Sequence, residues 1–349
     1  MEDGQFTGFE PIVEVSRGEI TESIHYGAAA VVDRTGKLIA SLGDPKMMMF
    51  MRSTAKPLQA LPFIQSGGDK MFGLTPKEIA LICASHSGTL DHYETVANLQ
   101  KKIGITEDML QCGKHSPYDR VSANLLIEKN QEPTQYHHNC SGKHTGKLAF
   151  AKLLQSDPGS YLELDHPVQK EIVKAIAEMC EFPEDEIVIG IDGCSAPVHG
   201  LPLYNAALGW AKLADPSDLI DERANACRTI SSAMMEHPFM VAGPKRFDTD
   251  FMEIVKGRIF VKSGAEGYLG IGVLASDDKL GIGIVIKISD GDSAGRARPA
   301  VAIEIMKQLG VLSESDLEQL KNYGPVREVK NWRKLAVGQL KTDFELNWH

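Results

Sequence analysis

The sequence predicts an α+β fold, with a mostly antiparallel central sheet flanked by helices. Runs rich in β-branched and apolar residues crowd the two ends of the chain, while amphipathic helical patterns with capping signals fill its middle. No linker, low-complexity tract or charge run cuts between them.

At the N-terminal end, residues 10–15, 26–32 and 38–42 read as strands, and Asp33-Arg34-Thr35-Gly36 is a hairpin turn signal between the last two. Met47-Met48-Met49-Phe50-Met51 reads as an apolar wall or core filler. It leads into Arg52-Ser53-Thr54-Ala55-Lys56-Pro57. Pro57 belongs in a first helical turn and disfavours an α conformation at Lys56, which puts Ser53 at or just before a helix start. Thr75-Pro76-Lys77-Glu78 combines a hydroxyl cap, proline at the first position and glutamate at the third. The helix it opens delivers Ser85-His86-Ser87-Gly88 at its C-terminal end. Another helix over 91–102 sets Val96, Leu99 and Ile103 on one face.

Helices are predicted next over 148–154 and 167–180, the second with a stripe of Val168, Ile172, Ile176 and Met179. Residues 187–191 form a strand from which Asp192-Gly193-Cys194 turns sharply out. Asp215-Pro216-Ser217-Asp218 starts a long helix through Met235, stopped by Pro238. Strands return at 258–262, 268–274 and 281–288, followed by a helix over 299–309 that begins at proline and ends before Gly310.

A chain of 349 residues lies at the upper edge of what one core serves. The expectation is a single catalytic unit over 1–349, with a helical subdomain at about 90–185 inserted between the sheet-forming ends. A formal net charge of −10 argues against nucleic acid as a partner, because its phosphates would be repelled. No apolar run approaches the ~20 residues of a membrane span. Met1-Glu2-Asp3-Gly4 is acidic where a signal peptide is basic, so a cytoplasmic protein is expected. Six cysteines are too sparse for a disulfide framework and read as reduced thiols. Cys83, Cys112, Cys180 and Cys227 take structural roles in this reading, as does His199.

Reactive chemistry is densest in His137-His138-Asn139-Cys140-Ser141-Gly142-Lys143-His144-Thr145-Gly146, and a second thiol follows in Asp192-Gly193-Cys194. Cys140, Lys143 and Cys194 make a candidate metal set: two thiolates and one nitrogen leave a tetrahedral ion an open position. Neutralising the lysine costs about 4–5 kcal/mol at pH 7, which the ~10–16 kcal/mol of a structural zinc site exceeds. His144 and His138 are rival third ligands, and two buried thiols without metal remain an alternative.

Ser53 and Lys56, three apart, share one face of a helical turn, so a partly desolvated amine can act as base toward the serine. Ser53-x-x-Lys56, Ser85-His86-Ser87 and Lys262-Ser263-Gly264 occur in the order of the serine β-lactamase and penicillin-binding-protein set, S-x-x-K, S-D-N and K-T-G. The second element departs, with serine in place of asparagine. A tandem survives, in which Ser53 with Lys56 serves as nucleophile and base while Ser85 with Lys262 relays a proton or offers a second nucleophile.

Taken together, Arg52-Ser53-Thr54-Ala55-Lys56-Pro57, Ala84-Ser85-His86-Ser87, Asn139-Cys140-Ser141-Gly142-Lys143-His144 and Asp192-Gly193-Cys194 resemble the rhizobial-type, class 3 L-asparaginases of the asparaginase II family. The likeness runs in order across most of the chain and is weakest after about residue 320. It implies a fold related to serine β-lactamases, a homodimer, and zinc held by Cys140, Lys143 and Cys194, with water as the fourth ligand. It implies the tandem of Ser53 with Lys56 and Ser85 with Lys262. Arg52, His144 and Asp192 are implied to lie by the substrate, and the metal to orient it. The expected reaction is hydrolysis of L-asparagine to L-aspartate and ammonia through an acyl-enzyme on Ser53. The alternatives are a related glutaminase or peptide hydrolase, and a zinc-stabilised binding protein without catalysis.

Overall fold

Both ends of the chain contribute to one sheet. The computed structural model describes residues 8–349, so Met1-Glu2-Asp3-Gly4 lies outside the described residues. In chain order the strands are β1 (Glu10–Arg17), β2 (Ile20–Asp33), β3 (Leu38–Leu42), β4 (Met48–Phe50), β5 (Val188–Ile191), β6 (Pro197–Pro202), β7 (Ile259–Ser263), β8 (Tyr268–Val273), β9 (Ile282–Ile288), β10 (Val326–Lys330), β11 (Ala336–Thr342) and β12 (Asn347–Trp348). The helices are α1 (Lys56–Gln65), α2 (Gly68–Phe72), α3 (Pro76–Ile82), α4 (Leu90–Ile103), α5 (Arg120–Glu128), α6 (Ser141–Leu153), α7 (Pro167–Cys180), α8 (Leu203–Ala214), α9 (Asp221–Glu236), α10 (Pro238–Val241), α11 (Phe247–Val255), α12 (Ala297–Gln308) and α13 (Glu314–Leu320).

The main sheet runs β10-β11-β1-β2-β9-β8-β7, with β3 also on β2 and β12 on β3, and its ladders are antiparallel. The α+β expectation therefore holds. At its centre, β2 pairs with β9 from Gly27 opposite Ile288 to Asp33 opposite Ile282. Ala28 to Val32 are fully buried, as expected of a strand covered on both faces. Helix α8 packs on β2, β8 and β9, and α12 packs on β1, β9 and β11. Residues 90–180 carry helices and 3-10 turns without a strand.

Several elements differ from the sequence reading. Strand β2 starts at Ile20 because its first residues lie on an exposed ladder with β1, where apolar periodicity has no reason to exist. Met48–Phe50 is a strand of a second, three-stranded sheet ordered β4-β6-β5, with its two end residues exposed. Helix α9 starts at Asp221, because Asp215 is fixed elsewhere: it accepts from Gly281 N at 3.0 Å and pairs with Arg34 Nε at 2.9 Å. Strand β6 was hidden by the proline and glycine inside it. Helix α8 was hidden because its polar side is narrow, only Tyr204, Asn205 and Lys212 lying outside the buried set. Among the described residues, no helix is long and apolar enough to cross a membrane.

Candidate active site

The chemistry gathers where α1, α3 and α6 meet. Ser53 sits in a 3-10 turn, Arg52–Ala55, immediately ahead of α1. Lys56 opens that helix in the α region, φ −59 and ψ −41, so the bias imposed by Pro57 is overridden by the turn closing beneath it. Its buried amine donates to Ala84 O, to Ser85 Oγ at 2.8 Å and to Cys140 Sγ at 3.2 Å. Three acceptors thus occupy three N–H directions, and they come from two other sequence motifs. The amine makes no hydrogen bond to Ser53 Oγ among the described contacts. Ser53 is part-exposed and Ser85 is buried.

The capping box at Thr75 starts α3, whose end leads into Ala84 and Ser85. His86 turns away from the site: its Nδ1 accepts from Gly88 N, which leaves Nε2–H to donate to Ser141 Oγ at 2.9 Å. Ser87 donates to Ala242 O. Of the Ser85-His86-Ser87 cluster, only Ser85 enters the reactive group.

The dense stretch at 137–146 is mostly helix. Helix α6 begins at Ser141 rather than near 148, with Cys140 as its N-cap, where the helix dipole favours a negative sulfur. Gly142 and Gly146 let α6 press on α3, since a Cβ at Gly142 would lie 2.2 Å from Leu81 O and one at Gly146 2.6 Å from Ile82 Cγ2. That glycine-enabled contact brings Cys140 to Lys56. One turn in, Lys143 Nζ lies 2.8 Å from Cys194 Sγ, and the two thiols of Cys140 and Cys194 lie against each other.

Electrostatics sets Cys140 apart from four of the other free, buried cysteines. Burial pushes the thiols of Cys83, Cys112, Cys180 and Cys227 up to about 12, which makes them inert. A hydrogen bond from Cys194 and the charges of Lys56 and Lys143 instead hold Cys140 well below the ordinary thiol value, against burial. Burial opposes charge on Lys143, yet Cys194, Cys140 and Asp192 together raise its amine above the ordinary lysine value. Two thiols and an amine form a soft nitrogen and sulfur set of the kind zinc accepts. Among the described residues, no three His, Cys, Asp or Glu side chains gather as a metal site; the third member of the group at Cys140 and Cys194 is a lysine.

The histidines brace this set. His138 Nδ1 accepts from Cys140 N at 3.0 Å, and His115 Nε2 accepts from Asn139 N at 2.9 Å. His144 is fully buried, its Nδ1 2.6 Å from Tyr161 Oη. Gln111 N donates to that same Oη, an arrangement that leaves the phenol proton able to bond Nδ1, with the imidazole hydrogen then on Nε2. Nε2 lies beside Cys194 without a well-aligned hydrogen-bond partner.

Arg52 and Asp192 are paired with each other: Nε and Nη2 lie 3.1 and 2.9 Å from Asp192 Oδ1. Arg52 holds φ +51, a left-handed conformation that costs a non-glycine residue about 1–3 kcal/mol and that the pairing helps fix. Lys262, at the end of β7, is fully buried and donates to Ser263 O at 2.6 Å. Burial first, then the charges of Lys56 and Arg246, lower its amine to about 7. It is close enough to feel Lys56 and Cys140, although no hydrogen bond to Ser85 forms. Sequence reasoning missed Asp248 and Tyr161, whose local contexts look like an ordinary first-turn acid and a core aromatic. Cavity size is no guide either: a cleft of about 640 Å³ lies away from this group, against Ile39, Arg258 and Trp348.

The family model for L-asparaginase II matches residues 13–342. The chain belongs to the L-asparaginase II family. As a member, it is an amidohydrolase of the asparagine and glutamine type. No curated protein matches it. Among solved structures, a probable glutaminase from Bacillus subtilis with 6-diazo-5-oxo-L-norleucine is 15% identical, with TM-score 0.40 over 81% of this chain and 83% of that one. The B. subtilis glutaminase in covalent complex with 5-oxo-L-norleucine is 13% identical, with TM-score 0.40 over 82% and 89%. Likeness this distant carries nothing about substrate or mechanism.

Proposed function

We propose that this L-asparaginase II family member hydrolyses L-asparagine to L-aspartate and ammonia through an ester on Ser53. The observation that carries the reading is the Lys56 amine, bonded at once to Ser85 Oγ and Cys140 Sγ beside the open Ser53 turn. Ser53 Oγ attacks the carboxamide carbon and its proton passes to the group of Lys56, Ser85 and Lys262. The leaving nitrogen takes a proton from that group and departs as ammonia. Water then cleaves the ester, its proton returning by the same route. Cys140, Lys143 and Cys194 hold zinc in this reading, with the Lys143 amine neutral. The metal supplies a Lewis-acidic anchor for the substrate. In this reading His144 takes the tautomer with its hydrogen on Nε2 and supports Cys194 from behind rather than ligating.

Arg52 and Asp192 complement an amino-acid zwitterion, one for its carboxylate and the other for its ammonium. Asp192→Ala should raise KM for L-asparagine roughly 10- to 100-fold, the worth of a charged hydrogen bond, with less change in kcat. An unchanged KM would remove Asp192 from the substrate. Because Lys262 must be neutral to accept a proton, kcat/KM should rise as pH passes upward through about 7 and fall below it. A flat profile from pH 6 to 8 would contradict that role. Glutamine is longer by one methylene, a difference worth about 1–3 kcal/mol in a pocket, so ammonia release from the two amides tests the substrate. Faster turnover of glutamine would replace the assignment. We also propose a cytoplasmic homodimer acting as one catalytic unit, the dimer being measurable by sedimentation.

A further inference from the structure

Asp248 lies in the first turn of α11 and is buried. Its Oδ2 accepts from Ser263 N at 2.8 Å, its Oδ1 accepts from Ser263 Oγ, and Oδ2 stands 3.8 Å from Lys262 Nζ. One carboxylate therefore holds both the backbone and the side chain at the end of β7, and faces the amine that leaves that strand. A buried carboxylate this close to a buried amine is costly unless both are fully engaged, and no surface role explains it.

We propose that Asp248 is a positioning residue for the amide hydrolysis, fixing the Lys262-Ser263 strand end and setting the charge that the Lys262 amine meets. The inference rests on the catalytic reading of Lys262 given above. Charged and titratable groups around the amine come from each neighbouring element: Lys56 from α1, Cys83 from the end of α3, Cys140 from the α6 N-cap, Arg246 from the loop before α11, and Asp248 itself. Around the carboxylate stand Lys262, Arg246, Arg298 from α12 and Tyr323 beyond α13. Asp248 is the nearby carboxylate that favours charge on Lys262, against the cations Lys56 and Arg246. Ser263 governs how much of it the amine receives, because the hydroxyl occupies one carboxylate oxygen.

The two contacts predict shifts of opposite sign. Asp248→Asn removes the negative charge, so the ascending limb of kcat/KM against pH should move down by about one unit. Ser263→Ala frees Oδ1 to turn toward the amine, so the limb should move up. Both profiles are measured by ammonia release from L-asparagine with the intact protein. Opposite displacements support the proposal, whereas limbs that stay at the wild-type position, or move together, overturn it. Should Asp248→Asn fail to fold, Ser263→Ala decides alone, since it deletes only a hydroxyl. Lys262→Met separates the two claims: near-normal turnover there would overturn the catalytic reading itself, while an inactive Lys262→Met beside unmoved limbs in Asp248→Asn and Ser263→Ala overturns only the role of Asp248.

Discussion

Ser53→Ala should lower kcat by about a thousandfold or more, because a covalent mechanism has no substitute for its nucleophile. Binding of L-asparagine should change little, since Arg52 and Asp192 remain in place. Ser85→Ala is the informative companion. Ser85, not Ser53, carries the hydrogen bond to Lys56, yet it is buried while Ser53 keeps an open side. A proton carrier can be buried; the atom that meets substrate must be reachable. Ser85→Ala should therefore slow acylation while leaving any trapped ester on Ser53. Rapid quenching followed by peptide mass analysis locates the ester. Recovery of it on Ser85, or near-wild-type turnover in Ser53→Ala, would end the assignment.

Protein grown with zinc should contain about one zinc per chain, and Cys194→Ala should weaken that binding by about a hundredfold or more. Loss of partners that merely orient ligands already costs 10- to 100-fold, and Cys194 is one of the three proposed donors. The variant also strands Lys143, whose amine lies 2.8 Å from the sulfur, and removes the group beside His144 Nε2. Competition with a chelator reads the affinity independently of activity. Kinetically, chelating the wild-type protein should raise KM more than it lowers kcat, because the metal is assigned to orientation and the bond-breaking to Ser53. Wild-type protein without zinc would remove the metal half of the site and leave Lys143 to pair with Cys194 directly.

Much of this site was legible locally. The capping box at Thr75 predicted the helix that carries Ser85 to the centre, and Pro57 predicted that Ser53 stands just outside α1. Strands β1, β2, β7, β8 and β9 followed from their β-branched runs and β3 appears with the bounds expected, whereas β10, β11 and β12 were not read from the sequence. The helix α8 and the short strand β6 were illegible, because a narrow polar side leaves α8 a mostly apolar run and because proline and glycine disguise a short strand. The start of α6 was missed for another reason. Gly142 and Gly146 read as loop residues by propensity, yet they are the positions at which α6 touches α3.

Residue types and their order, by themselves, determined the reactive inventory: two serines with lysines, two cysteines with a lysine, and an arginine beside the first serine. They also determined the α+β class, since strand-like and helix-like periods are local properties of the chain. Only tertiary structure decided the pairing. Lys56 bonds Ser85 instead of Ser53, Arg52 pairs with Asp192 across 140 positions, and Asp248 stands against Lys262. The same packing gave otherwise similar cysteines opposite characters, the thiol pushed up to about 12 at Cys83 and held well below its ordinary value at Cys140. The physical reason is that hydrogen bonds and charge effects act over a few ångströms of space, and sequence spacing does not fix which distant side chains share those ångströms.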